Sequence, residues 1–281
     1  MRIKHRFVFD SRNNNFDIVA LLTQKNIAYD YSEESTIFEV FEDDKNFETI
    51  VKSLEPYGVF RNSPEAIYTK AEIKDAQWLT VRSNWHNLYP QPEDDMRYRF
   101  TTYDATDTCA GRNSKCFCRN GLTQKESFVL KKEPRWGSRN FMMLNWVFDE
   151  LFVSKKAEEV LTTSGLAGFE IYDVLSKSKR PLKEVKQVFV KTYLPQGFSV
   201  DSIEETYICP TCKLETYWPK AGSIHFHKEI FKDIVVDIAK TSDKFWATNC
   251  ASLILITHKF YKAITEAKLD RGLVFEPVKL V

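Results

Sequence analysis

The chemistry most legible in this 281-residue chain lies in its six cysteines, four of which come as two close pairs. Cys209-Pro210-Thr211-Cys212 has the two-residue spacing of a zinc knuckle. Two thiolates so placed can face one ion, while amides of the tight turn between them hydrogen-bond to the sulfurs. Such knuckles usually carry Gly after the second Cys, where the turn needs a left-handed residue. Here that residue is Lys213. A thioredoxin-type redox motif shares the spacing but opens a helix. The segment that follows here, KLETYW, reads as a strand, so a hairpin knuckle is expected.

Structural zinc takes four ligands. One source for the missing pair is Cys116-Phe117-Cys118, followed by Arg119-Asn120-Gly121 as a knuckle-like turn; the other is His225 and His227. Alternating residues on a strand share a face, so either pair can approach one ion. The cysteines are preferred, because the chain around them lacks periodic pattern and a cross-link from residue 116 to residue 212 would hold it. The expected zinc ligands are therefore Cys116, Cys118, Cys209 and Cys212, with His225, His227 and Cys109 as alternates. Cys109 and Cys250 otherwise read as small buried hydrophobes. A four-thiolate site is closed to water, hence structural and not catalytic.

Nothing else forms a catalytic constellation. His5, His86, His225, His227 and His258 lie in no metalloprotease, nucleophile-elbow or Cys-His pattern, and no phosphate-binding glycine loop is present. Asp149 and Glu150 are adjacent, so on a strand or helix they point apart; solvated or capping roles are expected. Lys132 to Gly137 reads as a structural turn, with a grip on a phosphate or a partner surface as the alternative. No catalytic residue is assigned. Two other readings stay open: a metal-dependent hydrolase built on His225 and His227, and a nucleic-acid module on the basic stretch Lys177 to Lys191.

Positioning these residues requires an α+β fold. Residues 1–65 read as a small β-α-β-β-α layer: Ile3, Phe7 and Phe9 share one strand face, Phe16, Val19 and Leu22 recur at helical spacing, and Phe47, Ile50, Val51 and Leu54 form a second helical stripe closed by Gly58. Residues 66–139 read as a helix opened by the capping box Thr69–Glu72 and reaching about Trp78, then an irregular connector holding three cysteines. Residues 140–281 read as a larger α+β domain containing the knuckle. It also contains an internal repeat: LFVSKKAEEVLTTSGLAGFEIYDV (151–174) aligns with LILITHKFYKAITEAKLDRGLVFEPV (253–278). Each copy runs strand, Ser154 or Thr257 as helix N-cap, amphipathic helix, a Leu-to-Gly turn, and a second strand.

The net charge of +1 supplies no overall field for nucleic acid or an anionic membrane. Charge is locally uneven: residues 28–55 carry nine acids and two bases, residues 177–191 six bases and one acid. No targeting signal is legible, and the longest apolar run, Leu253 to Ile256, falls far short of the roughly 20 residues that span a bilayer. A cytoplasmic location is expected, without membrane contact. There thiols favour metal over disulfides.

The segment from Asn145 to Val174 and the closing Ile254 to Val278 resemble the C-terminal pattern of bacterial immunity proteins from polymorphic toxin systems. Val153-Ser154 matches the cap, Leu166-Ala167-Gly168 the turn and Phe275-Glu276-Pro277-Val278 the ending. The double-CxxCG immunity family adds two cysteine knuckles; this chain has Cys209–Cys212 without the Gly, and Cys116-x-Cys118 in place of the other. The resemblance implies a non-catalytic, zinc-stabilised protein that binds a cognate toxin.

Overall fold

The computed structural model describes residues 1–10, 16–54, 60–94, 97–104, 109, 121–246 and 250–281. The chain is α+β and divides into two compact units, Met1–Glu72 and Ile73–Val281.

The first unit runs β1 (Arg2–Asp10), α1 (Phe16–Gln24), β2 (Tyr29–Tyr31), β3 (Ser35–Phe41), α2 (Phe47–Leu54) and β4 (Phe60–Ile67). The sheet order is β2-β3-β1-β4, all antiparallel. Each helix thus joins two parallel strands with an antiparallel one between them, a double split β-α-β arrangement. Phe7, Phe9, Phe38 and Val40 from the sheet close on Ile18 and Leu22 of α1 and on Ile50 and Leu54 of α2. The fourth strand has no counterpart in the sequence reading, and Gly58 lies outside the described residues. Helix α3 (Lys70–Asp75) follows, with the expected capping box: Thr69 N donates to Glu72 Oε2 at 2.8 Å and Glu72 N to Thr69 Oγ1 at 3.2 Å.

Beyond α3 the chain runs β5 (Trp78–Ser83), α4 (Tyr98–Thr101), β6 (Tyr103–Asp104), β7 (Thr123–Gln124), β8 (Val129–Leu130), β9 (Phe141–Leu144), β10 (Val147–Val153), α5 (Lys155–Thr163), β11 (Phe169–Ser176) and β12 (Pro181–Val190). It continues through β13 (Tyr193–Leu194), β14 (Ile203–Ile208), β15 (Glu215–Pro219), β16 (His225–Phe226), β17 (Ile238–Thr241), β18 (Lys244–Phe245), β19 (Ile254–Thr257), α6 (His258–Glu266), β20 (Leu273–Pro277) and β21 (Lys279–Leu280). Two five-stranded sheets dominate, ordered β8-β11-β12-β10-β9 and β13-β17-β19-β5-β20.

The two repeat copies are the unit β10-α5-β11 and the unit β19-α6-β20. In each, the strands flanking the helix are separated by one antiparallel strand: β12 in the first, β5 in the second. Ser154 Oγ accepts from Ala157 N and Thr257 Oγ1 from Phe260 N, both at 3.3 Å, so both caps form as expected. Ala157 and Leu161 of α5 and Phe260 and Ile264 of α6 enter one core with Leu79, Val81, Leu151, Val153, Ile254 and Ile256. Gly168, in the first copy's turn, has φ +107, and a Cβ there would lie 2.3 Å from the Ile238 carbonyl oxygen. Only glycine fits that approach.

Two expectations are corrected here. The helix opened at Thr69 stops at Asp75, and Trp78 begins β5, a strand inside the second sheet. The stretch read as an irregular connector, to be held by a cysteine cross-link, is also anchored by a core where it is described. Tyr98, Tyr103, Phe128 and Leu130 are buried against Met142, Leu144, Val147 and Phe152. Aromatic burial of this size is enough to hold an irregular chain on a sheet.

Candidate metal centre

The knuckle is a hairpin, as its sequence implies. Strands β14 and β15 pair antiparallel up to Ile208 opposite Glu215, leaving Cys209 to Leu214 as the connection. Cys209 N donates to the Leu214 carbonyl and Lys213 N to the Cys209 carbonyl, each at 2.9 Å. Pro210 supplies the fixed φ that suits the second position of such a turn. Lys213 has φ +61, so it occupies the left-handed position that glycine takes in most knuckles.

This turn sets the sulfurs of Cys209 and Cys212 beside a third. The ligand atoms of Cys109, Cys209 and Cys212 all lie within 4.8 Å of one another, and the Cys109 and Cys209 sulfurs are 3.8 Å apart. Cys109 and Cys209 are buried; Cys212 is half-buried. Leu214 and the fully buried Cys250 pack in the same cluster. Four zinc–sulfur bonds of about 2.3 Å in a tetrahedron put sulfurs about 3.8 Å from each other. The Cys109–Cys209 separation therefore already has the length of a tetrahedral edge, whereas a disulfide would need about 2 Å. Three soft thiolates select zinc or a similarly thiophilic ion over magnesium or calcium.

Of the expected ligands, the structure brings Cys209 and Cys212 together, and the alternate Cys109 joins them. Cys116 and Cys118 lie outside the described residues. His225 and His227 belong to no group of three or more ligating side chains among the described residues. His225 is half-buried on β16, where burial and, to a smaller extent, Lys279 push its pKa down while Asp201 opposes them. His227 is exposed at the start of a short 3-10 turn.

Asp149 and Glu150 correct the sequence reading: neither is solvated. Both are buried in β10, with Glu150 Oε1 2.5 Å from Lys240 Nζ and Glu150 Oε2 accepting from Gln187 Nε2 at 3.0 Å. Burial alone would lower the Lys240 pKa, but Glu150 and Asp149 outweigh it and raise it, keeping the ammonium charged. The available signal was the apolar run around them, VFDELFV, which marks a strand buried on both faces. The Lys132–Gly137 turn is structural: Glu133 Oε1 accepts from Lys183 N at 2.7 Å and Trp136 Nε1 donates to the Glu184 carbonyl at 2.7 Å. On the basic strand, Lys186 pairs with Asp173 and Lys191 with Glu170, which neutralises part of its charge.

Comparison with family models and with curated proteins finds no match to this chain. Among the described residues, no helix is long and apolar enough to cross a membrane.

Proposed function

We propose that this protein is a zinc-stabilised binding protein without chemistry of its own, whose partner is a cognate toxin in a bacterial immunity pair. The observation that carries the metal half of this reading is the convergence of Cys109, Cys209 and Cys212. A thiolate-rich, largely buried centre is a fastening device.

The partner half rests on the resemblance of the repeat segments and on surface charge. Asp30, Glu33, Glu34, Glu42, Asp43, Asp44 and Glu48 are all exposed in the first unit. Exposed acids so distributed would steer a basic partner toward this unit, although Asp43 is already paired with Arg2. Co-expression with the product of the adjacent gene, followed by affinity capture and a toxicity assay, tests this half. A stable complex with relief of toxicity is expected. Failure of capture together with unrelieved toxicity would overturn it.

A further inference from the structure

We infer that Cys250 supplies the fourth thiolate and closes the metal centre as an all-sulfur site. This rests on the metal reading above and adds to it the ligand that decides whether the site is closed.

Cys250 is brought to the centre by the same small sheet that presents the knuckle. Strand β18 pairs parallel with β15, Thr216 opposite Lys244 and Tyr217 opposite Phe245, and Trp246 N donates to the Tyr217 carbonyl at 3.1 Å. The chain then turns back: Phe245 and Ala251 form an antiparallel bridge, and Cys250 N donates to the Trp246 carbonyl at 2.7 Å. This places Cys250 next to the knuckle strand and, with no exposed surface, in one cluster with Cys109 and Cys209.

Its backbone is also unusual. Cys250 has φ +44, a left-handed conformation that a residue with a Cβ adopts at a cost. Strain of this kind persists where the surroundings fix it, and it clusters at sites that aim a side chain. The Cys250 sulfur stands outside the trio whose ligand atoms lie within 4.8 Å of one another. A χ1 step between staggered wells moves a cysteine sulfur by about 3 Å, and the fourth vertex goes to Cys250 because it shares this buried cluster. The ligand set becomes Cys109, Cys209, Cys212 and Cys250, drawn from three separate stretches of chain.

The experiment is X-ray absorption at the zinc edge on the full-length protein and on Cys250→Ser, Cys250→His, Cys116→Ser and Cys118→Ser. The wild type is expected to show four sulfurs at about 2.3 Å. Cys250→Ser should show three sulfurs with one lighter atom and at least a tenfold weaker zinc affinity. Cys116→Ser and Cys118→Ser should keep all four. Cys250→His keeps a ligand at the position, so a folded variant is expected to show three sulfurs and one nitrogen even if the serine variant does not fold. Four sulfurs retained in Cys250→Ser or Cys250→His, or a sulfur lost in Cys116→Ser or Cys118→Ser, would overturn the assignment of Cys250 and leave the metal reading intact. A wild type that binds no zinc would overturn both.

Discussion

The sulfurs of Cys109 and Cys209, 100 residues apart in sequence, lie 3.8 Å from each other in the second unit. That distance joins a poorly periodic stretch of chain to the tip of a hairpin and gives the cysteine cluster its chemical meaning. A metal ion held here would tie together two stretches of chain 100 residues apart. Its binding free energy would therefore appear as folding free energy.

The left-handed Lys213 makes the knuckle improvable. Lys213→Gly should raise stability by about 0.5–1 kcal/mol, since glycine adopts positive φ without the Cβ penalty. Urea titration of the zinc-bound protein measures this, and zinc affinity should not fall.

Gly168→Ala should act oppositely. The new Cβ would meet the Ile238 carbonyl oxygen at 2.3 Å and the Val236 Cβ at 2.8 Å, in a backbone conformation already unfavourable for alanine. A loss of roughly 2–4 kcal/mol is expected from overpacking and strain together. Because Gly168 lies in the turn after α5, far in sequence from any cysteine, the zinc content of the folded fraction should not change.

The buried pair Glu150–Lys240 predicts a non-additive result. Lys240→Met leaves the buried Glu150 carboxylate without the ammonium it pairs with and should cost about 3–5 kcal/mol. Adding Glu150→Gln removes one stranded charge and should return part of that loss. Thermal or urea unfolding of the two single variants and the double variant closes the cycle.

His225 predicts a pH slope. Burial and Lys279 hold its pKa below the ordinary 6.5, so the unfolded chain takes up the proton more readily than the folded one. Its contribution is fully present above that ordinary value and is lost as pH falls below it. Urea midpoints measured between about pH 7.5 and pH 5.5 should fall less steeply for His225→Gln than for the wild type.

What the sequence showed plainly was local. The knuckle announces itself because spacing, Pro210 and the strand after it all act within about ten residues. The repeat is legible for the same reason: cap, helix face and Leu-to-Gly turn are consecutive, and both caps form. Strand β5 escaped notice because it is defined by pairing with β19 and β20, whose paired residues come 175 to 198 positions later in the chain, and nothing in Trp78–Ser83 itself names those partners. Glu150 was misread because adjacency suggested exposure, while the partner that permits its burial, Lys240, comes 90 residues later. Cys109 ranked low as a ligand for a related reason. Its nearest cysteine in sequence forms no motif with it, and only the folded chain brings it to Cys209.

The most direct test of the account is the zinc content of the purified full-length protein beside that of Cys209→Ser, measured by elemental analysis after gel filtration in a zinc-buffered solution. One tightly held zinc per chain in the wild type, lost in Cys209→Ser, is the predicted result. A wild type without zinc, or a Cys209→Ser protein that retains it undiminished, would contradict the central claim.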